Sequence, residues 1–157
     1  MGVLFHGSPR KLEIIKPSPS PVVNNDKVVF ATPSRWMALV FCAHKTSHDI
    51  DFGFVKRTAY LAEMREGAFD LLKTEGYIHT VHAFAFHSDS RVGMRHHEFV
   101  ANCDIAVVER ERVPNAYEDL LRFPSLRMVK FSEREAWLAE TFPPDDHGTR
   151  VEDDVTK

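Results

Sequence analysis

The chain has 157 residues, 43% hydrophobic and 27% charged. A chain of this length fits one domain that buries roughly 70% of its unfolded surface, and its ordinary globular composition argues against disorder of the whole. A formal net charge of −3 and a pI of about 6.3 provide no field for nonspecific nucleic-acid binding.

No apolar run approaches the roughly 20 residues a membrane span needs. The start, Met1-Gly2-Val3-Leu4-Phe5-His6, lacks the basic-then-apolar order of a secretory signal. His6 stands where a myristoylation motif needs Ser or Thr. The expectation is a cytoplasmic protein with no membrane partner. Cys42 and Cys103 lie in apolar surroundings and read as buried thiols rather than a disulfide.

In chain order, Val3-Leu4-Phe5 reads as a short strand that delivers His6-Gly7-Ser8 to its end. The spaced prolines of Lys16–Pro21 forbid a helix and favour an extended loop. Val28–Ala31 is a strand. Thr32 then caps a helix with Pro33 at its first position, and Trp36, Met37, Val40, Phe41 and His44 share one apolar face. Residues 45–58 read as loop and 59–64 as strand.

Tyr77–Phe86 alternates as a half-buried strand does. Glu98–Ala101 and Ile105–Glu109 are short strands. Asn115 caps a helical turn through Leu121, and Leu126–Phe131 is a final strand. Ser132 and Glu135 form a capping box for a last helix through Thr141. From Pro143 onward the acidic, Pro- and Asp-rich stretch reads as a flexible tail. With few helices and no regular βαβ alternation, the pattern predicts an α+β fold with a mixed or antiparallel sheet.

Three constellations could carry chemistry. In His6-Gly7-Ser8, a glycine at a strand end lets a ligand approach the main chain, whose N–H and C=O can grip an amide or phosphate. The plain alternative is a turn with an exposed histidine. Phe30–Phe41 joins a strand, a cap and an aromatic-rich helix that could place a ring over a flat heterocycle. For Trp36 and Val40 simple core packing is favoured, and for Phe41 both readings stand. Glu98, opening an apolar strand, could accept a hydrogen bond from a sugar hydroxyl and stabilise cationic charge at an anomeric carbon. Its alternative is an exposed strand-edge glutamate.

Together these residues resemble the ADP-ribosyltransferase superfamily in its poly(ADP-ribose) polymerase and diphtheria-toxin branches. His6-Gly7-Ser8 is similar to the family's strand-borne His-Gly-Ser/Thr. Phe30-Ala31, Ser34, Ala38 and Phe41 are similar to its second element, and Glu98 to its late glutamate. The match touches the first hundred residues.

The resemblance implies a split, mostly antiparallel sheet with flanking helices over residues 1–142, before a flexible acidic tail at 143–157. It implies NAD as substrate, with transfer or hydrolysis at the nicotinamide–ribose bond. His6, Gly7, Ser8, Ala31, Ser34 and Phe41 would bind the cofactor. Gly7 would hold the nicotinamide amide, His6 a ribose hydroxyl, and Phe41 would stack on the ring. Glu98, with His6, would be catalytic. Gly7→Val is then expected to abolish NAD binding at normal stability.

The family's aromatic is usually Tyr, and in the stricter polymerase spacing Val40 stands at its place. His96 lies two residues before Glu98, so the paired-acid pattern of arginine-modifying toxins is absent.

Competing readings differ in class. A catalytically silent nucleotide- or partner-binding module would use the same cleft. An RNA 2′-phosphotransferase would need basic residues around a phosphate, and Arg10, Arg35, Arg91 and Arg95 are the candidates. A metal site on His79, His82, His87, His96 and His97 is disfavoured, because His79 and His82 face opposite sides of a strand and no metal-binding spacing exists. No metal is expected. Nucleophilic catalysis by Cys42 or Cys103 needs a thiolate-stabilising neighbour; Cys42 stands beside Phe41 and near His44, and a buried thiol is the favoured reading.

Overall fold

The computed structural model describes residues 2–45, 48–94 and 96–143. In chain order its elements are β1 (Val3–Ser8), β2 (Ile14–Ile15), β3 (Ser18–Pro19), β4 (Lys27–Ala31), α1 (Arg35–Val40), β5 (Ile50–Val55) and β6 (Thr58–Glu63). Then follow β7 (Gly76–His82), β8 (Phe99–Ala101), β9 (Ile105–Ala106), β10 (Glu109–Val113), α2 (Ala116–Leu120), β11 (Leu126–Val129) and α3 (Arg134–Thr141). The architecture is mixed α+β, with small sheets and few helices. Three sheets have the orders β1-β7-β10, β3-β4-β8 and β11-β6-β5, and β2 pairs with β9. All pairings are antiparallel except β11 with β6.

Several local expectations are corrected. β1 runs through His6-Gly7-Ser8 instead of ending before it, because each of these residues keeps its partner on β7. The α1 N-cap position is Ser34, not Thr32. The Thr32 hydroxyl instead accepts from Ser34 N at 3.0 Å, which places Pro33 ahead of the cap. α1 is short and buried on every side from Trp36 to Val40, with no single apolar stripe.

Residues 50–55 are strand, paired with β6 through a two-residue turn at Lys56-Arg57. Both turn residues have positive φ, 48° and 69°. Asn-Gly usually occupies this turn type, so Lys-Arg gives no turn signal. β7 stops at His82, and Ala83–Ala85 forms a 3₁₀ turn.

Asn115 caps α2 as expected, with Oδ1 accepting from Glu118 N. Ser132 and Glu135 form no capping box. Phe131–Glu133 is a 3₁₀ turn, closed by Glu133 Oε1 accepting from Lys130 N at 3.1 Å. Cys42 is buried as expected, but Cys103 is exposed, since it falls in the bend between β8 and β9. The tail from 144 onward lies outside the described residues.

The largest core cluster gathers around α1, with Leu61, Leu72, Ile78 and Leu120 from its neighbours. Two glycines allow this packing. A Cβ on Gly7 would lie 1.8 Å from Ala38 O, and one on Gly76 would lie 2.3 Å from Cys42 Cβ. The helix and Cys42, two residues past its end, therefore rest on the backbone of β1 and β7.

This geometry overturns the expectation that Gly7→Val leaves stability normal, since the missing side chain points at the helix backbone. Gly7→Val is expected to destabilise the fold by about 3 kcal/mol or more. Urea denaturation measures it, and an unchanged midpoint would refute the contact.

Candidate functional site

Between β1 and β4 lies a cleft of about 550 Å³. Its origin is an interrupted ladder. Phe5 and Thr32 exchange backbone hydrogen bonds at 2.7 and 2.9 Å, a single antiparallel bridge between the two strands. The next such rung would join Gly7 to Phe30, two residues along each strand. The His6 ring takes that carbonyl instead, with Nδ1 donating to Phe30 O at 2.7 Å. By strand alternation the Gly7 N–H and C=O face the same edge as those of Phe5. Among the described residues no strand pairs with that edge beyond the bridge.

A carbonyl can only accept, so His6 Nδ1 carries the proton and neutral Nε2 is an acceptor. Burial holds the His6 pKa below the ordinary imidazole value; the bond to Phe30 opposes this, and His79 adds to the lowering. His79 is fully buried. Its Nδ1 donates to His6 O at 3.1 Å, and its Nε2 accepts from Leu12 N at 2.9 Å. Arg110 Nε holds Leu12 O at 2.8 Å. These bonds position the segment after β1, whose Leu12, Ile14 and Ile15 form an apolar wall of the cleft.

The cleft brings together His6, Gly7, Ser8, Ala31, Phe41 and Glu98. Ser8 is buried, and its hydroxyl accepts from Arg10 N at 3.1 Å. Ser34, at the α1 cap position, is not among the lining residues. Phe41, just past α1, is 37% exposed, whereas Val40 is fully buried in the core. The structure thus presents Phe41, not Val40, to the cleft. Trp36 is a core residue, packed edge-on against Phe52 and Phe54.

Glu98 stands immediately before β8. Burial pushes its carboxyl up to about 7, with Lys45 opposing. Lys45 Nζ lies 4.9 Å from the Phe41 ring centroid and 5.3 Å from that of Phe52. Burial lowers the pKa of this ammonium, while Asp49 and Glu98 raise it. Sequence reasoning places the Lys45–Arg57 segment at the border of the cleft but gives Lys45 and Phe52 no role. The alternation of Ile50, Phe52 and Phe54 was the available signal for the strand that carries Phe52.

The other candidates are accounted for within the fold. Arg35 is paired bidentately with Glu111, both bonds at 2.7 Å. Arg91 is held by Asp89 and Asp26. Arg10 lines the cleft, and Arg95 lies outside the described residues. The His97 ring stacks on Phe54 at 4.1 Å. Among the described residues no group of three or more His, Cys, Asp or Glu side chains is placed to hold a metal. Burial raises the Cys42 thiol to about 11, as suits a packing residue rather than a nucleophile. No helix among the described residues is long and apolar enough to cross a membrane.

Compared with protein-family models, with curated proteins and with solved structures, the chain matches none.

The raised carboxyl fixes a sign. Folded Glu98 binds its proton more tightly than the unfolded chain does, so stability is full below about 4.5 and falls as pH rises toward about 7. Glu98→Gln removes the ionisation. The variant is expected to match wild type near pH 5 and to exceed it by up to roughly 3 kcal/mol near pH 8. Denaturation curves at both pH values test this, and parallel pH dependence in the two proteins would refute burial of the charge.

Proposed function

We propose that the cleft is an NAD site of ADP-ribosyltransferase type, on a split-sheet fold of that kind, and that it cleaves the nicotinamide–ribose bond. The observation that supports this reading is the convergence of His6, Gly7, Ala31, Phe41 and Glu98 on one cavity from distant parts of the chain. A planar carboxamide needs one donor and one acceptor side by side, and the open Gly7 peptide edge supplies both. Phe41 offers a ring face to the nicotinamide. Neutral His6 Nε2 accepts from a ribose hydroxyl.

Ionised Glu98 accepts from another ribose hydroxyl and stabilises the oxocarbenium-like charge as the C1′–N bond breaks. The bonding pair leaves with nicotinamide, and water or an acceptor hydroxyl adds at C1′ with loss of a proton. Because the carboxylate must be ionised, nicotinamide release rises as pH passes through about 7.

A silent nucleotide-binding module is the second reading. It is favoured by the Lys45 ammonium already placed over the Phe41 ring, since a second cation, the nicotinamide ring of NAD, stacks less well beside it.

NAD binding by calorimetry, followed by assay of free nicotinamide, separates the readings. The enzyme reading predicts binding with release. Glu98→Gln should retain NAD affinity and lose release by about a hundredfold or more, and Phe41→Ala should weaken binding. Binding without release selects the silent module, and absence of binding removes both.

A further inference from the structure

A second cavity, also of about 550 Å³, adjoins the cleft and shares Ser8 and Arg10 with it. Its wall carries four basic side chains, Arg10, His44, Lys45 and Arg65, against one carboxylate, Asp49. That carboxylate is engaged, because Arg65 Nε donates to Asp49 Oδ1 at 2.9 Å. Neither Arg10 nor Lys45 forms an ion pair with another described residue. Lys45 is half-buried, so its ammonium has lost part of its hydration without a counter-charge in contact. Such a charge is stabilised by an anion that brings its own acceptor atoms.

We propose that this cavity binds a phosphomonoester, with Arg10, Lys45 and His44 as its donors. A phosphomonoester carries close to two negative charges at neutral pH, on three acceptor oxygens. It can therefore meet a guanidinium fork, an ammonium and an imidazole N–H at once, with more oxygens and nearly twice the charge of a carboxylate. The cavity is open to solvent, so the remainder of the ester can project outward. The site contains neither Phe41 nor Glu98 and goes beyond the reading of the cleft.

The test titrates glycerol 2-phosphate, and separately inorganic phosphate, into the full chain without NAD, following calorimetric heat and the imidazole signals of His44. Saturable binding of the ester is expected, with a shift at His44. Arg10→Ala and Lys45→Ala should each weaken it by roughly tenfold or more. Near-ultraviolet circular dichroism establishes that the variants are folded. The proposal is overturned if the ester does not saturate, if only inorganic phosphate binds, or if folded variants bind as wild type does. Because the ester is titrated without NAD, ester binding where NAD fails to bind, or NAD binding where the ester fails, keeps failure of the cleft reading and failure of this site distinguishable.

Discussion

The close approach of α1 to the β1–β7 pair sets the rest of the structure. Helices usually stand off a sheet by the depth of the side chains between them. Here Gly7 and Gly76 remove that layer, and Ala38 O and Cys42 touch strand backbone directly. Phe41 follows Ala38 by three residues, so the same contact delivers its ring to the end of β1 beside His6 and Gly7. The helix is only six residues long, too short to be stable alone. It is held by burial against the sheet and by the aromatic edge contacts of Trp36 with β5.

The cleft depends on one substitution of partners. A continued β1–β4 ladder would close the gap with main-chain hydrogen bonds. The His6 imidazole intercepts Phe30 O, and the remaining strand edge is left facing a cavity. His79 supports this from beneath, joined to His6 O and to Leu12 N. Burial favours the neutral form of both rings, against the opposing effect of each Nδ1 bond to a carbonyl. The result is a rigid peptide edge beside an apolar wall, a surface suited to a flat, polar-edged ligand.

Charge in this region is governed by loss of water more than by pairing. Burial drives the Glu98 carboxyl upward and the Lys45 ammonium downward, and each group only partly offsets the other. Lys45 lines the second cavity, lies against the Phe41 ring of the first, and feels both Glu98 and Asp49. Elsewhere several arginines are held in paired arrangements, as Arg35 is by Glu111 and Arg91 by Asp89. That contrast separates the site from the solvated surface, where ion pairs do little beyond local order.

Read alone, the sequence determined the elements that local chemistry specifies. β-branched and aromatic runs set β1, β4 and β7, and Asn115 set the start of α2. The His6-Gly7-Ser8, Phe30-Ala31 and Glu98 segments marked the residues that line the cleft. Only the tertiary structure decided the rest. Lys56-Arg57 adopts a left-handed turn that neither residue signals, so the β5–β6 hairpin had no turn signature to support the alternation of Ile50, Phe52 and Phe54. The choice of Phe41 over Val40 was made by where α1 lands on Gly7, a contact between residues 31 positions apart in sequence. The role of Gly7 also reversed in part: its missing side chain makes room for a helix, and its peptide edge faces the cleft. Such facts depend on which surfaces meet, and local propensity carries no information about that.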